Sequence, residues 1–172
     1  MKNNDNQGSF CDQASYRLAE VRCVTVREST GTQEWGPVLN RPELLAGFWR
    51  ETVVRAEWYD PEKECCVVVL FDVKNRVKGW NLISLGTQTA SLMGPREVFR
   101  MAIVGNACAI AVLHGHPSGD PSPSPGDITV TRQLREAARV VDVQLLDHVI
   151  VGDCARDPGG RGYFSFREAG ML

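Results

Sequence analysis

Surplus positive charge is missing from this chain, in which 19 Lys and Arg face 21 Asp and Glu for a formal charge of −2. Without a basic surplus the total carries no electrostatic footprint for nucleic acid, and direct nucleic-acid binding is not expected. Long apolar runs are missing too. No stretch approaches the ~20 residues of a membrane span, so no membrane partner is expected. Residues 1–8 are polar and hold no apolar core of a secretory signal, which makes the cytoplasm the expected address. The six cysteines form no C-x-x-C pair, and several sit inside apolar runs, so they read as buried thiols. There is no internal repeat, no low-complexity tract and no coiled-coil heptad; a homodimer is compatible with so small a domain, but no assembly signal specifies one. Histidine is scarce, with three in the chain.

What is present describes a globular domain. Hydrophobic residues at 43% and charged residues at 23% are near globular averages, and 172 residues suffice for one core rather than two. Residues 1–15 are expected to be a flexible polar terminus and 16–172 a single domain. Within it, the β-branched run at 21–26 suits a strand, followed by a Gly/Ser/Thr loop at 28–38. Asn40-x-x-Glu43 resembles a capping box, and Leu44, Leu45, Phe48, Thr52 and Val53 fall at helical spacing, predicting a helix from 42 to about 56. Residues 65–73 are strongly strand-like, and Lys74-Asn75-Arg76 suits a turn into a second strand through Leu85. Gly94-Pro95 opens a helix with Val98, Phe99, Ala102 and Ile103 on its apolar face. The apolar run at 107–113 suits a buried strand, 125–140 a helix, 143–151 a strand, and 163–166 a short closing strand.

The chemistry concentrates after the buried strand, in His114-Gly115-His116-Pro117-Ser118-Gly119-Asp120-Pro121-Ser122-Pro123-Ser124-Pro125-Gly126-Asp127. Side chains alternate with period two in extended chain, so His-x-His points two imidazoles to one side. The Pro/Gly/Ser-rich loop then turns the chain over, and the helix it opens returns a carboxylate, Asp127. Structural zinc sites are usually closed by four protein ligands, whereas hydrolytic ones keep three and leave a position for water. His114, His116 and Asp127 therefore read as an open metal site. Imidazole with carboxylate favours zinc over magnesium or calcium, with iron, manganese or cobalt as alternative occupants. Ser124-x-x-Asp127 is at the same time a capping box, which alone would explain both residues.

His114-x-His116-Pro117, seven residues, then Ser124-x-x-Asp127 resembles the signature of the JAMM (MPN-type) metalloproteases. His116-Pro117-Ser118-Gly119-Asp120-Pro121, Asp147-His148, Pro95-Arg96-Glu97-Val98 and Gly86-Thr87 resemble its bacterial RadC-type branch, with the motif core at 60–152. The resemblance implies an α/β fold, a deaminase-like α-β-α sandwich on a central mixed sheet. It further implies hydrolysis of a peptide or isopeptide bond by zinc-activated water. The implied partner is a protein or peptide substrate, such as the tail of a ubiquitin-like protein. It assigns Ser124 to the oxyanion that forms when water adds to the carbonyl. The proton-transferring carboxylate falls on Glu64, ahead of the strand at 65, with Glu62 as competitor. His148 reads either as a satisfied core histidine or as a residue orienting a ligand or binding substrate.

Two departures stand out. Gly115 occupies a position usually held by Asn or a small hydroxyl residue. Residues 1–59 do not look like the helix-hairpin-helix-like region that precedes this domain in longer RadC-type proteins, which weakens any link to DNA repair. A deaminase would need His-x-Glu and Pro-Cys-x-x-Cys, and a thermolysin-like protease His-Glu-x-x-His; the chain has neither. The rival from another class is a non-catalytic MPN-type scaffold, or an accessory to DNA metabolism, with a structural metal.

Overall fold

The computed structural model describes residues 36–86 and 93–172. The expected flexible terminus at 1–15, the strand at 21–26 and most of the loop at 28–38 lie outside them. A five-stranded mixed sheet organises the described chain. It comprises β1 (Cys65–Phe71), β2 (Val77–Leu85), β3 (Ala109–Gly115), β4 (Gln144–Val151) and β5 (Tyr163–Ser165), in the spatial order β2-β1-β3-β4-β5. β1 pairs antiparallel with both β2 and β3, β3 and β4 are parallel, and β5 closes the far edge antiparallel to β4.

Helices cover both faces. All seven residues of β1 are buried, which is why Cys65-Cys66-Val67-Val68-Val69-Leu70-Phe71 reads as a continuous apolar run instead of alternating. On one face Val67, Val69, Phe71, Ala111 and Leu113 pack under α1 (Pro42–Glu51), which contributes Leu45, Ala46 and Trp49. On the other, Val68, Leu70, Ile110 and Val112 meet α2 (Pro95–Val104) through Val98, Phe99 and Ala102. Leu134 and Ala138 of α3 (Pro125–Val141) complete that layer. This is the expected α-β-α arrangement. α3 carries the chain from β3 to its parallel neighbour β4, as a parallel pair requires.

The turn between β1 and β2 is held by Asp72, whose Oδ1 accepts the Lys74 and Arg76 backbone N–H groups. Asn75 sits at φ 57, a left-handed position Asn tolerates. Several expectations need correction. The helix at 42 is capped by Arg41 with no side-chain bond, not by an Asn40 box, because Pro42 takes the first helical position and shifts the start by one residue. It ends at Glu51, followed by a single 3₁₀ turn at Val53–Arg55, where consecutive β-branched residues disfavour continuation. Finally, Cys65 and Cys66 are buried as expected, but Cys108 and Cys154 are exposed, since each lies in a connection rather than a strand. The strand expected at 107–113 runs to Gly115, so His114 is part of it.

Candidate metal centre

The register of β1 against β3 assembles the site. Cys66 faces His114 and Cys65 faces Gly115, so the residue before β1, Glu64, arrives beside the residue after β3, His116. Glu64, His114 and His116 each present a ligand atom, and these lie within 4.8 Å of one another. Asp127, in the first turn of α3, brings the fourth group. Its Oδ1 lies 3.6 Å from His114 Nε2 and its Oδ2 3.6 Å from His116 Nε2. The two imidazole centroids are 4.6 Å apart. Ligands about 2.0–2.1 Å from a tetrahedral zinc would be roughly 3.4 Å from one another, so the spacing and the nitrogen and oxygen donor set both fit that metal. Glu62, the competitor of Glu64, is exposed and stands outside this cluster among the described residues.

Hydrogen bonds fix which atoms face the site. His116 Nδ1 lies 2.8 Å from the Asp120 carbonyl and must donate to it, leaving the lone pair on Nε2. His114 Nδ1 faces His148 Nε2 at 3.4 Å, and His148 Nδ1 faces Thr131 Oγ1 at 2.7 Å. Thr131 Oγ1 donates to the Asp127 carbonyl at 2.5 Å, so it must accept from His148 Nδ1–H. His148 Nε2 is then an acceptor, His114 Nδ1 a donor, and His114 Nε2 carries a lone pair toward Asp127. Phe166 stacks parallel on His148, with ring centroids 4.7 Å apart and planes 4° apart. His148 is therefore more than a satisfied core histidine: it links a candidate ligand to the backbone that carries another. Thr131 and Phe166, which complete this chain, carry no sequence signal of their own.

Asp127 is fixed from its own helix end. The capping box is complete: Ser124 Oγ accepts the Asp127 N–H at 3.2 Å, and the Ser124 N–H donates to Asp127 Oδ2 at 2.8 Å. Ser124 Oγ–H donates to the same Oδ2 at 2.6 Å, so the hydroxyl proton is directed at Asp127. Oδ1 is left for the site.

Burial pushes the His114 imidazole down to about 4, with His116 adding to the shift and Asp127 opposing it. Burial likewise takes His148 to about 3, helped by His114. Both rings are neutral near pH 7, the form that ligates. For His116 burial is outweighed by the bonds to Asp127 and the Asp120 carbonyl and by the charges of Asp127 and Glu64, which raise it. Burial would raise Asp127, but the His116 bond, the His114 ring and Ser124 hold its carboxyl well below the usual range.

A cleft of about 320 Å³ opens beside His116, lined among others by Trp49, Tyr59, Gly115, Pro117 and Gly152. It explains the departure at Gly115. A Cβ there would lie 2.5 Å from Trp49 Cζ2, so the tryptophan ring occupies the space that Asn or Ser would need. The loop after His116 is pinned to the chain following β4 by the Asp153 N–H bond to the Gly119 carbonyl at 2.7 Å. Ser118, Gly119 and Asp120 shape this loop, Gly119 N–H donating to the His116 carbonyl at 3.0 Å and Asp120 N–H to Ser118 Oγ at 3.3 Å. Among the described residues no helix is long and apolar enough to cross a membrane.

Comparison with known proteins agrees with the fold. The family model described as a RadC-like JAB domain matches residues 41–171. A UPF0758 protein of Thermotoga maritima is 47% identical over 157 residues, covering 88% of this chain and 66% of the relative. A UPF0758 protein of Desulforudis audaxviator is 42% identical over 140 residues, covering 80% and 59%. One from Symbiobacterium thermophilum is 48% identical over 105 residues, covering 61% and 42%. The chain thus spans at most about two thirds of these relatives, whose shared name states no activity. On the family match, this chain belongs to the RadC-like JAB domain family.

Proposed function

We propose that this chain hydrolyses a peptide or isopeptide bond, with zinc held by His114, His116 and Asp127. The observation that carries the reading is the orientation of the donor atoms. The Nε2 atoms of both imidazoles converge on the Asp127 carboxylate, His114 Nε2 at 3.6 Å from Oδ1 and His116 Nε2 at 3.6 Å from Oδ2, while the Nδ1 atoms of both rings are engaged elsewhere and Ser124 holds Oδ2. Three such ligands would leave a coordination position for water, and a cleft opens beside His116. Zinc bound there would supply Lewis acidity at the substrate carbonyl and lower the pKa of water.

The remaining work falls to side chains. Glu64, across the strand register from His116, takes the proton of the attacking water and returns it to the leaving nitrogen. Ser124 holds its proton on Asp127 Oδ2 in the resting arrangement. Turning the hydroxyl toward the oxyanion leaves Oδ2 still bonded to the Ser124 N–H, so the move does not orphan the carboxylate. His148, through His114 Nδ1, keeps the first imidazole in its ligating tautomer.

The test is hydrolysis of a peptide library and of isopeptide-linked substrates by zinc-loaded protein. Glu64→Gln should retain metal and lose turnover by about 10²–10⁴-fold. Full activity in that variant would remove Glu64 from the mechanism. Equal inertness of wild type and variant toward all substrates would favour the scaffold reading.

A further inference from the structure

Three cations line the cleft beside His116, namely Arg50, Lys63 and Arg156, against one carboxylate, Asp153. Lys63 is paired with Asp60 at 2.8 Å. The two arginines are held differently. Arg50 Nη2 donates to the Gly162 carbonyl at 2.8 Å and Arg156 Nη1 to the Ser118 carbonyl at 2.5 Å. A carbonyl fixes the direction of a guanidinium without cancelling its charge. Among the described residues neither arginine forms an ion pair, and Asp153 turns its Oδ1 to the Ala155 N–H instead.

Both guanidinium seats are built on glycines in the left-handed region. Gly119 has φ 78, and a Cβ there would lie 2.7 Å from Arg156 Cδ. Gly162 has φ 71, and a Cβ there would lie 2.8 Å from Arg50 Nη2. The Arg156 stem therefore rests on the loop that begins at His116, and the Arg50 head on the segment leading into β5. An arginine that lines a cleft, ordered by one bond to a carbonyl that leaves its charge uncancelled, is pre-organised for a planar anion.

We propose that Arg50 and Arg156 form a carboxylate-binding subsite on the substrate path. The substrate would carry an acidic side chain, or its own C-terminal carboxylate, close to the bond presented at the metal centre. The inference deepens the hydrolase reading and rests on it for its place in catalysis, but the binding it describes can be measured without turnover.

The probes are serine-glycine nonapeptides carrying one glutamate or one glutamine at each position in turn, with free or amidated C-termini. Binding to zinc-loaded Glu64→Gln protein is followed by NMR titration, and cleavage by wild type by mass spectrometry. Carboxylate-bearing peptides should bind about tenfold more tightly than their neutral counterparts. Arg156→Gln and Arg50→Gln should each shrink that ratio toward one. The ratio separates recognition from damage to the loop, which would weaken both peptide types alike. A preference that follows the glutamate position identifies an acidic side chain, and one that follows only the free terminus identifies the α-carboxylate. Carboxylate-dependent binding without cleavage would sustain the subsite while removing the hydrolase reading. Equal binding of charged and neutral peptides, no saturable binding of either, or a ratio unchanged in both variants would overturn it, even if cleavage is observed.

Discussion

The two sides of the histidine pair are built on opposite plans. Behind His114, every polar atom has a partner: His148, Thr131 and the Asp127 carbonyl form one chain of bonds, with Phe166 stacked against it and the imidazoles buried. In front of His116 lies a cleft, with an aromatic floor at Trp49 and Tyr59 and two arginines that, among the described residues, are bonded only to carbonyls. The rear fixes tautomer and position, and the front is left to receive something. A centre that must hold a metal and admit a substrate needs both, and here they sit on opposite faces of the same strand end, because His114 points toward α3 while Gly115 faces α1.

This contrast can be broken from either side. The largest effect is expected at the front floor. Trp49 is buried, meets Tyr59 edge-on at 6.2 Å and fills the space over Gly115. Trp49→Ala should lower folding stability by about 3–5 kcal/mol in denaturant titration while leaving zinc affinity in the folded protein nearly unchanged. A large loss of affinity would mean that the front also sets the metal geometry.

The rear is broken by His148→Phe, which keeps an aromatic ring against Phe166 but removes both bonds, leaving His114 Nδ1–H without its acceptor. Zinc affinity, measured by competition with a chromophoric chelator, should fall by about 10–100-fold with the fold retained. An unchanged affinity would reduce His148 to a packing residue.

The smallest effect concerns pH. His114 and His148 titrate at about 4 and about 3 in the folded protein, below the unfolded value near 6.5. Between these limits the unfolded chain binds more protons, so metal-free protein should lose stability as pH falls from about 6.5 toward 4. His116 is raised and contributes in the opposite sense, its stabilisation being lost as pH rises through its folded value. The two buried rings outweigh it. His148→Phe should flatten the acid side of the curve; a slope unchanged from wild type would place the effect elsewhere.

Much of this architecture was legible in the sequence where local physics decides. The unalternating run of β1 announces a strand covered on both faces, and the Ser124-Pro125-Gly126-Asp127 box gives the start of α3 directly. His-x-His in extended chain gives the paired imidazoles. Glu64 was legible only through resemblance, because its position depends on a strand register spanning some fifty residues. Thr131, Phe166 and Trp49 were silent for the same reason: each acts through a contact remote in sequence. The Asn40 box misled because Pro42 at the first helical position puts the cap on Arg41, whose side chain offers no acceptor, and the exposed Cys108 and Cys154 because composition says nothing of which connection faces solvent.

The central claim is that His114, His116 and Asp127 hold a metal. It is tested most directly by elemental analysis of protein purified without a metal-affinity tag, for wild type and the double variant His114→Ala/His116→Ala. The account predicts about one zinc per wild-type chain and none in the variant. Wild-type protein that stays metal-free after zinc is supplied, or a variant that retains full zinc, would contradict it.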